Sequence, residues 1–146
     1  MRIIALLPLA ALLALGCSSS PTGSGPGLPA AVLRDADGIT FAAERPAYRQ
    51  GDTATIVLRN GTTQSLGYNL CHSSRELRAG GSWSRISSLR LCTMELRILA
   101  PGAETVLREP ITAEWQPGEY RMVTRVERMR SGDGGEVFTP PFTVER

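Results

Sequence analysis

The sequence predicts an all-β domain, folded as a single antiparallel β-sandwich, and three observations predict it. Apolar side chains recur at every second position in short runs, the period of a half-buried strand. Pairs such as Asn60-Gly61, Gly80-Gly81, Pro101-Gly102 and Pro117-Gly118 punctuate those runs, and Gly and Pro are the residues that turns select. No segment carries a convincing helical period, so many short strands with regular turns must pack sheet against sheet.

The chain begins with a different kind of segment. Arg2 precedes an apolar run from residue 3 to residue 15, broken by Pro8 and ended by Gly16-Cys17. That run is shorter than the roughly 18 apolar residues of a membrane-spanning helix and matches the core of an export signal. Leu13-Ala14-Leu15-Gly16-Cys17 resembles the lipobox of bacterial lipoproteins, with Ala14 where that motif usually has Leu. The resemblance implies that Cys17 is acylated and becomes the new N-terminus, which anchors the chain to a membrane. An ordinary secretory leader with an incidental Cys is the competing reading. Ser18, rather than Asp, follows the Cys; by the same resemblance this implies the outer membrane of a cell with two membranes, on either face.

Residues 18–29 are almost entirely Ser, Gly, Pro and Thr, with nothing to bury, and read as a tether reaching on the order of 20 Å. The expected organisation is therefore a leader at 1–16, the lipidated Cys and tether at 17–37, and a folded domain at 38–146.

Within that domain a short strand is expected from residue 39 to 42, then a kinked crossing around Pro46 and Tyr48 closed at Gly51-Asp52. Residues 53–59 alternate, with Ala54, Ile56 and Leu58 on one face, and Asn60-Gly61 is a hairpin cue lengthened by Thr62-Thr63-Gln64. Leu66, Tyr68 and Leu70 alternate next. Residues 75–78 and 83–86 flank a hairpin turn at 79–82. Met94, Leu96 and Ile98 alternate against Thr93, Glu95 and Arg97, and Pro101-Gly102 ends that strand. A strand at 104–108 stops at Pro110 or lies at an edge, because Pro cannot donate to a ladder.

Pro117-Gly118 reads as a type II turn with Gly118 at positive φ. The long strand after it places Tyr120, Met122, Thr124 and Val126 on one face and Arg121, Val123, Arg125 and Glu127 on the other. Beyond a Gly-rich tip at 131–135, Phe138, Phe142 and Val144 share a parity, and Pro140-Pro141 demands an edge or a bulge. Aromatics are only 5% of the chain, so aliphatic side chains must build most of the core.

A turn followed by Tyr120 at the head of a long strand is the pattern of the tyrosine corner in Ig-like sandwiches, where the hydroxyl bonds to upstream backbone. The ordered series Tyr48-x-x-Gly51-Asp52, Arg59-Asn60, Gly80-Gly81-x-Trp83, Pro101-Gly102 and Pro117-Gly118-x-Tyr120-Arg121 resembles bacterial Ig-like domains over about residues 39–144. More distantly it is similar to the bacterial intracellular proteinase inhibitors, also Ig-like. The first resemblance implies a non-enzymatic envelope lipoprotein with an Ig-like binding or structural module; the second implies a proteinase-inhibitor-like domain. Neither supplies catalytic residues.

The residues that could carry chemistry are few. With Arg2 removed, 15 basic side chains face 14 acidic ones, which gives no global attraction for nucleic acid. Every basic residue is Arg. Cys71 and Cys92 are an even pair in an exported domain and read as a disulfide worth roughly 3 kcal/mol. A catalytic thiol is the sharper alternative. His72 adjoins Cys71, and neighbours in a strand point to opposite faces, which does not suit a Cys–His pair; with one His, two paired Cys and scattered carboxylates, no metal-ligand spacing appears. Ser82, Ser84, Ser87 and Ser88 lack a nucleophile elbow and a base. No cofactor, metal or enzymatic activity is expected.

Arg121, Arg125, Arg128 and Arg130 run along one strand toward its tip and could meet lipid phosphates, an acidic glycan or an acidic protein patch. The plainer reading is a solvated face balanced by Glu119 and Glu127. Trp83 is either an exposed anchor on its hairpin or a core residue. The expected partners are the membrane, through the lipid, and an envelope protein or glycan.

Overall fold

The computed structural model describes residues 38–87 and 90–146. The leader, Cys17, the tether and Ser88 lie outside them. Eleven strands and one 3-10 turn are present in this range: β1 Ile39–Ala43, β2 Ala47–Arg49, β3 Thr53–Asn60, β4 Leu66–Tyr68, the turn Leu70–His72, β5 Ser74–Ala79, β6 Ser82–Ile86, β7 Arg97–Leu99, β8 Glu104–Pro110, β9 Gly118–Arg128, β10 Gly134–Phe138 and β11 Phe142–Glu145.

Two sheets pack face to face. The smaller has the order β1-β3-β8. The larger is centred on β9, whose one edge pairs with β11 and then β10 and whose other edge pairs with β5 and then β4. β6 continues outward from β5 and β7 from β4. This is a β-sandwich with the Ig-like division of strands, and every pairing is antiparallel except β2 on β11. That parallel pair corrects the purely antiparallel expectation. It arises because the chain leaves the smaller sheet after β1, kinks at Pro46 and joins the larger sheet alongside its last strand; the Pro46 carbonyl accepts from Thr143 N–H at 2.8 Å.

The core lies between the sheets. Phe41, Ile56, Leu58, Leu66, Tyr120, Met122, Phe142 and Val144 are essentially inaccessible, and Trp115 closes one end against Tyr120 and Phe142 with ring centroids 4.8 and 6.3 Å away. β9 behaves as its alternation requires, with Tyr120, Met122, Thr124 and Val126 all buried.

Several turns solve problems other than those their dipeptides suggest. Gly80 and Gly81 both take positive φ, as the two-residue hairpin needs. Gly118 does not; it begins β9, and a Cβ there would lie 2.8 Å from Leu77 Cδ1, so Gly serves close packing. Asn60-Gly61 makes no hairpin, because β3 and β4 belong to different sheets. Asn60 is instead fully buried at the crossover, donating to the carbonyls of Gln64 and Leu99 and accepting from Thr62 N–H and Oγ1–H at 2.7–3.0 Å. A Cβ on Gly61 would come within 2.5 Å of the Gly38 carbonyl oxygen, so only Gly lets these backbones meet.

The prolines behave as donors withheld. Pro110 ends β8, an edge strand. Pro140-Pro141 separates β10 from β11, and the Thr139 hydroxyl accepts from Met122 N–H at 2.9 Å across the break. β11 is not an edge, since β2 covers it.

Candidate binding surface

Tyr120 forms the corner: its hydroxyl donates to the Gln116 carbonyl at 2.8 Å, bridging Pro117-Gly118, and burial pushes its phenol pKa up. The ring is fully buried, so the residue is structural rather than available to a ligand.

The residues that face outward from the larger sheet fall into two groups. The first surrounds Glu76, which is 6% exposed although charged. Register places it opposite both Arg85 on β6 and Arg121 on β9. One carboxylate oxygen accepts from Arg85 Nε and Nη2 at 3.1 and 2.9 Å, the other from Arg121 Nε at 2.7 Å. Arg85 also reaches Glu136 on β10 at 2.9 Å, which holds the Glu136 carboxyl below its usual range and raises the guanidinium still further.

Trp83 and Phe138 clamp Arg121 from either side, with the guanidinium carbon 4.6 and 4.3 Å from the ring centroids. Trp83 is thus a half-exposed cover for Arg121, and the fully buried tryptophan is Trp115. Of the four arginines in the stripe, Arg121 is committed to Glu76, Arg125 and Arg130 are exposed, and Arg128 is half-buried at the end of β9.

The second group lies toward β7. Met94, Leu96 and Ile98 do alternate, but the row faces solvent: they are 90%, 50% and 53% exposed, and only residues 97–99 pair as a strand. A local scaffold orients this segment. Asn69 Nδ2 donates to the carbonyls of Thr93 and Glu95, both at 2.8 Å, and His72 Nε2 lies 3.3 Å from the Thr93 carbonyl. Cys71 and Cys92 are bonded and staple it to the turn after β4. Alternation marks shared faces; these tethers choose which face turns out. Leu91, beside Cys92, is fully exposed.

Gly67 of β4 sits beneath the apolar group. It pairs with Ile98 on one side and Glu127 on the other, and the space its side chain would fill is taken by Leu96 and Met129, each about 3.0 Å from a built Cβ. Among the described residues no three His, Cys, Asp or Glu side chains converge as metal ligands do.

No family model matches the chain, and no curated protein matches it. Among solved structures it is similar to an uncharacterized protein from Bacillus anthracis str. Ames at 13% identity and a TM-score of 0.39, over 68% of this chain and 76% of that one. It is also similar to the neutral ceramidase from Pseudomonas aeruginosa at 13% identity and a TM-score of 0.40, over 74% of this chain but 19% of the ceramidase. The chain therefore spans about a fifth of that enzyme. At these scores the likenesses carry no argument about this chain.

Proposed function

We propose that this protein is a non-enzymatic lipoprotein of the bacterial envelope, held at the outer membrane by an acylated Cys17. Its Ig-like sandwich is a binding or structural module for an envelope protein or glycan. The observation that supports this reading most directly is the Cys71–Cys92 bond. Disulfides persist in oxidising compartments, the destination to which the leader is addressed, and the bond removes both thiols of the domain from nucleophilic chemistry.

Intact-mass analysis of membrane-extracted protein tests it together with non-reducing peptide mapping. The expected result is a chain starting at residue 17 with added acyl mass and Cys71 linked to Cys92. A soluble product cleaved elsewhere overturns the anchor, and two free thiols overturn the exported state.

One observation favours the alternative, a proteinase-inhibitor-like domain. The segment carrying Leu91 and Met94 is exposed yet braced by Asn69, His72 and the disulfide, and inhibitory loops bind in a pre-organised shape. The expected result of titrating the protein against subtilisin-like and trypsin-like proteinases at micromolar concentration is no inhibition. Stoichiometric inhibition lost on Leu91→Ala establishes the inhibitor instead.

A further inference from the structure

Arg75 is a charged side chain on the inner face of its strand. Register sets it opposite Met122 of β9, which is buried in the core, so Arg75 points between the sheets while its neighbour Glu76 points outward. The Arg75 side chain is only 10% exposed. Its guanidinium carbon sits over the Trp115 ring, 4.5 Å from the centroid. Such stacking engages a face of the guanidinium and leaves the N–H groups, which lie in its plane, to find acceptors elsewhere. Nε is buried with no hydrogen-bond partner. Among the described residues the one carboxylate paired with Arg75 is that of Glu114, 3.8 Å from Nη2. That exceeds hydrogen-bond length, and the Glu114 side chain is 83% exposed. Buried guanidinium groups are normally matched bond for bond. This one is not.

Arg75 lines a cleft of about 490 Å³ at the end of the sandwich that Trp115 closes, between β5 and the end of β8. That is the size of a small-molecule site. Pro110 and Trp115 give it an apolar wall, and the indole Nε1 of Trp115 also lacks a hydrogen-bond partner. The turn that carries Trp115 is held from outside the cleft, by the Gln50 amide donating to the Trp115 carbonyl at 2.8 Å. Arg90 and Glu109, also in the lining, are closed on each other at 2.6 Å, with Glu109 7% exposed.

Charge in the lining is balanced, with Arg75 and Arg90 against Glu109 and Glu114. When the exposed Glu114 turns to solvent, one positive charge is left uncompensated, and it is that of Arg75. A single surplus charge favours a monoanion over a polyanion. A planar guanidinium fork favours a carboxylate, which it can hold through two parallel bonds.

We propose that this cleft binds a small organic monocarboxylate, which replaces Glu114 beside Arg75. The carboxylate belongs to a free acid or to an acidic sugar residue. The proposal rests on the reading of the domain as a binding module, gives that module a ligand chemistry, and does not need the lipid anchor. Glu114 is then an internal competitor that shields Arg75 when the cleft is empty.

The test is an NMR titration of the purified protein, with Cys71 and Cys92 bonded, following the two indole N–H resonances. Sodium propionate, sodium glucuronate, propionamide and inorganic phosphate are the probes, at constant ionic strength. The expected result is a saturable shift of the Trp115 resonance with both carboxylates, while Trp83, on the outer face of the larger sheet, does not move. Propionamide should have no effect, and phosphate should bind at least about tenfold more weakly. Equal affinity for the two carboxylates identifies a free acid as ligand, and about tenfold tighter glucuronate identifies an acidic sugar.

Arg75→Lys keeps the charge without the fork and should weaken binding about tenfold. Glu114→Gln removes the competitor and should tighten binding about threefold with an unchanged melting temperature, an effect that a purely structural Arg75 would not produce. No saturable shift by about 50 mM carboxylate overturns the proposal, as does propionamide binding equally well. Phosphate binding tighter than either carboxylate overturns it in favour of a phosphate site, and a Glu114→Gln protein that binds no better overturns the displacement. Failure to bind any carboxylate defeats this cleft alone, because intact mass and the state of the thiols test the envelope reading separately.

Discussion

The two halves of the larger sheet's outer face are furnished in opposite ways. Around Glu76, charge is closed upon itself: Arg85 and Arg121 share one buried carboxylate, Arg85 extends to Glu136, and Trp83 and Phe138 cover Arg121. Around Gly67, Leu96, Ile98 and Met129 are left half in water with only a glycine beneath them. The difference teaches where a partner gains most. To bind over Glu76 a ligand must compete with charge-assisted bonds already made, whereas covering the Gly67 half only removes apolar surface from water. An arginine-rich strand is therefore not by itself an anion site.

The sharpest way to break the charged half is Glu76→Gln. It leaves Arg121, whose side chain is 24% exposed, without its counter-charge. The expected cost is about 2–4 kcal/mol in urea unfolding, below the full penalty of a deeply buried pair because Arg85 is half exposed. A loss under about 1 kcal/mol would mean that water replaces the carboxylate and the two halves differ less than argued. Trp83→Ala uncovers Arg121 while keeping the ion pair, and about 1 kcal/mol should be lost in the same assay.

A third comparison uses pH. The hydrogen bond from Arg85 lowers the Glu136 pKa in the folded protein, so the stability it contributes is present above the unfolded value, about 4.3, and declines as pH falls through the lowered folded value. Carboxyl NMR titration should place Glu136 below an ordinary glutamate, and Arg85→Ala should return it toward normal. The effect on stability is small, because the pair lies at the surface. The smallest change belongs to the apolar half: Leu96→Asp should alter the unfolding free energy by no more than about 0.5 kcal/mol, since that side chain is half in water already. A large destabilisation would show the patch to be a core margin rather than an open surface.

How much of this was legible depended on what each signal encodes. The faces of β9 could be read because its even positions are Tyr, Met, Thr and Val while Arg and Glu dominate the odd ones, and the Tyr120 corner anchors its start. Val123 is the exception, an odd-numbered position buried on the outer side. The 93–98 segment carries an equally clean alternation, yet its apolar row faces out. Period two states which residues share a face and nothing about which face meets another sheet. The Glu76 cluster was missed because its members come from β5, β6, β9 and β10, and no local pattern marks them. Asn60 was misread for a similar reason: Asn-Gly also fits a turn, and the four bonds that make it a buried crossover are made only once the sheets meet.

The sequence by itself determined the all-β class, most strand positions, the tight Gly80-Gly81 hairpin and the Cys71–Cys92 pairing. These follow from local backbone preference, period-two burial, and there being two cysteines in the predicted domain. Only the tertiary structure decided that β2 lies parallel to β11, that Gly61 and Gly118 serve close approach, and that Arg121 is paired while Leu96, Ile98 and Met129 are not. Those outcomes depend on which distant backbone or side chain arrives at a position, and that is set by the packing of two sheets rather than by any stretch of chain.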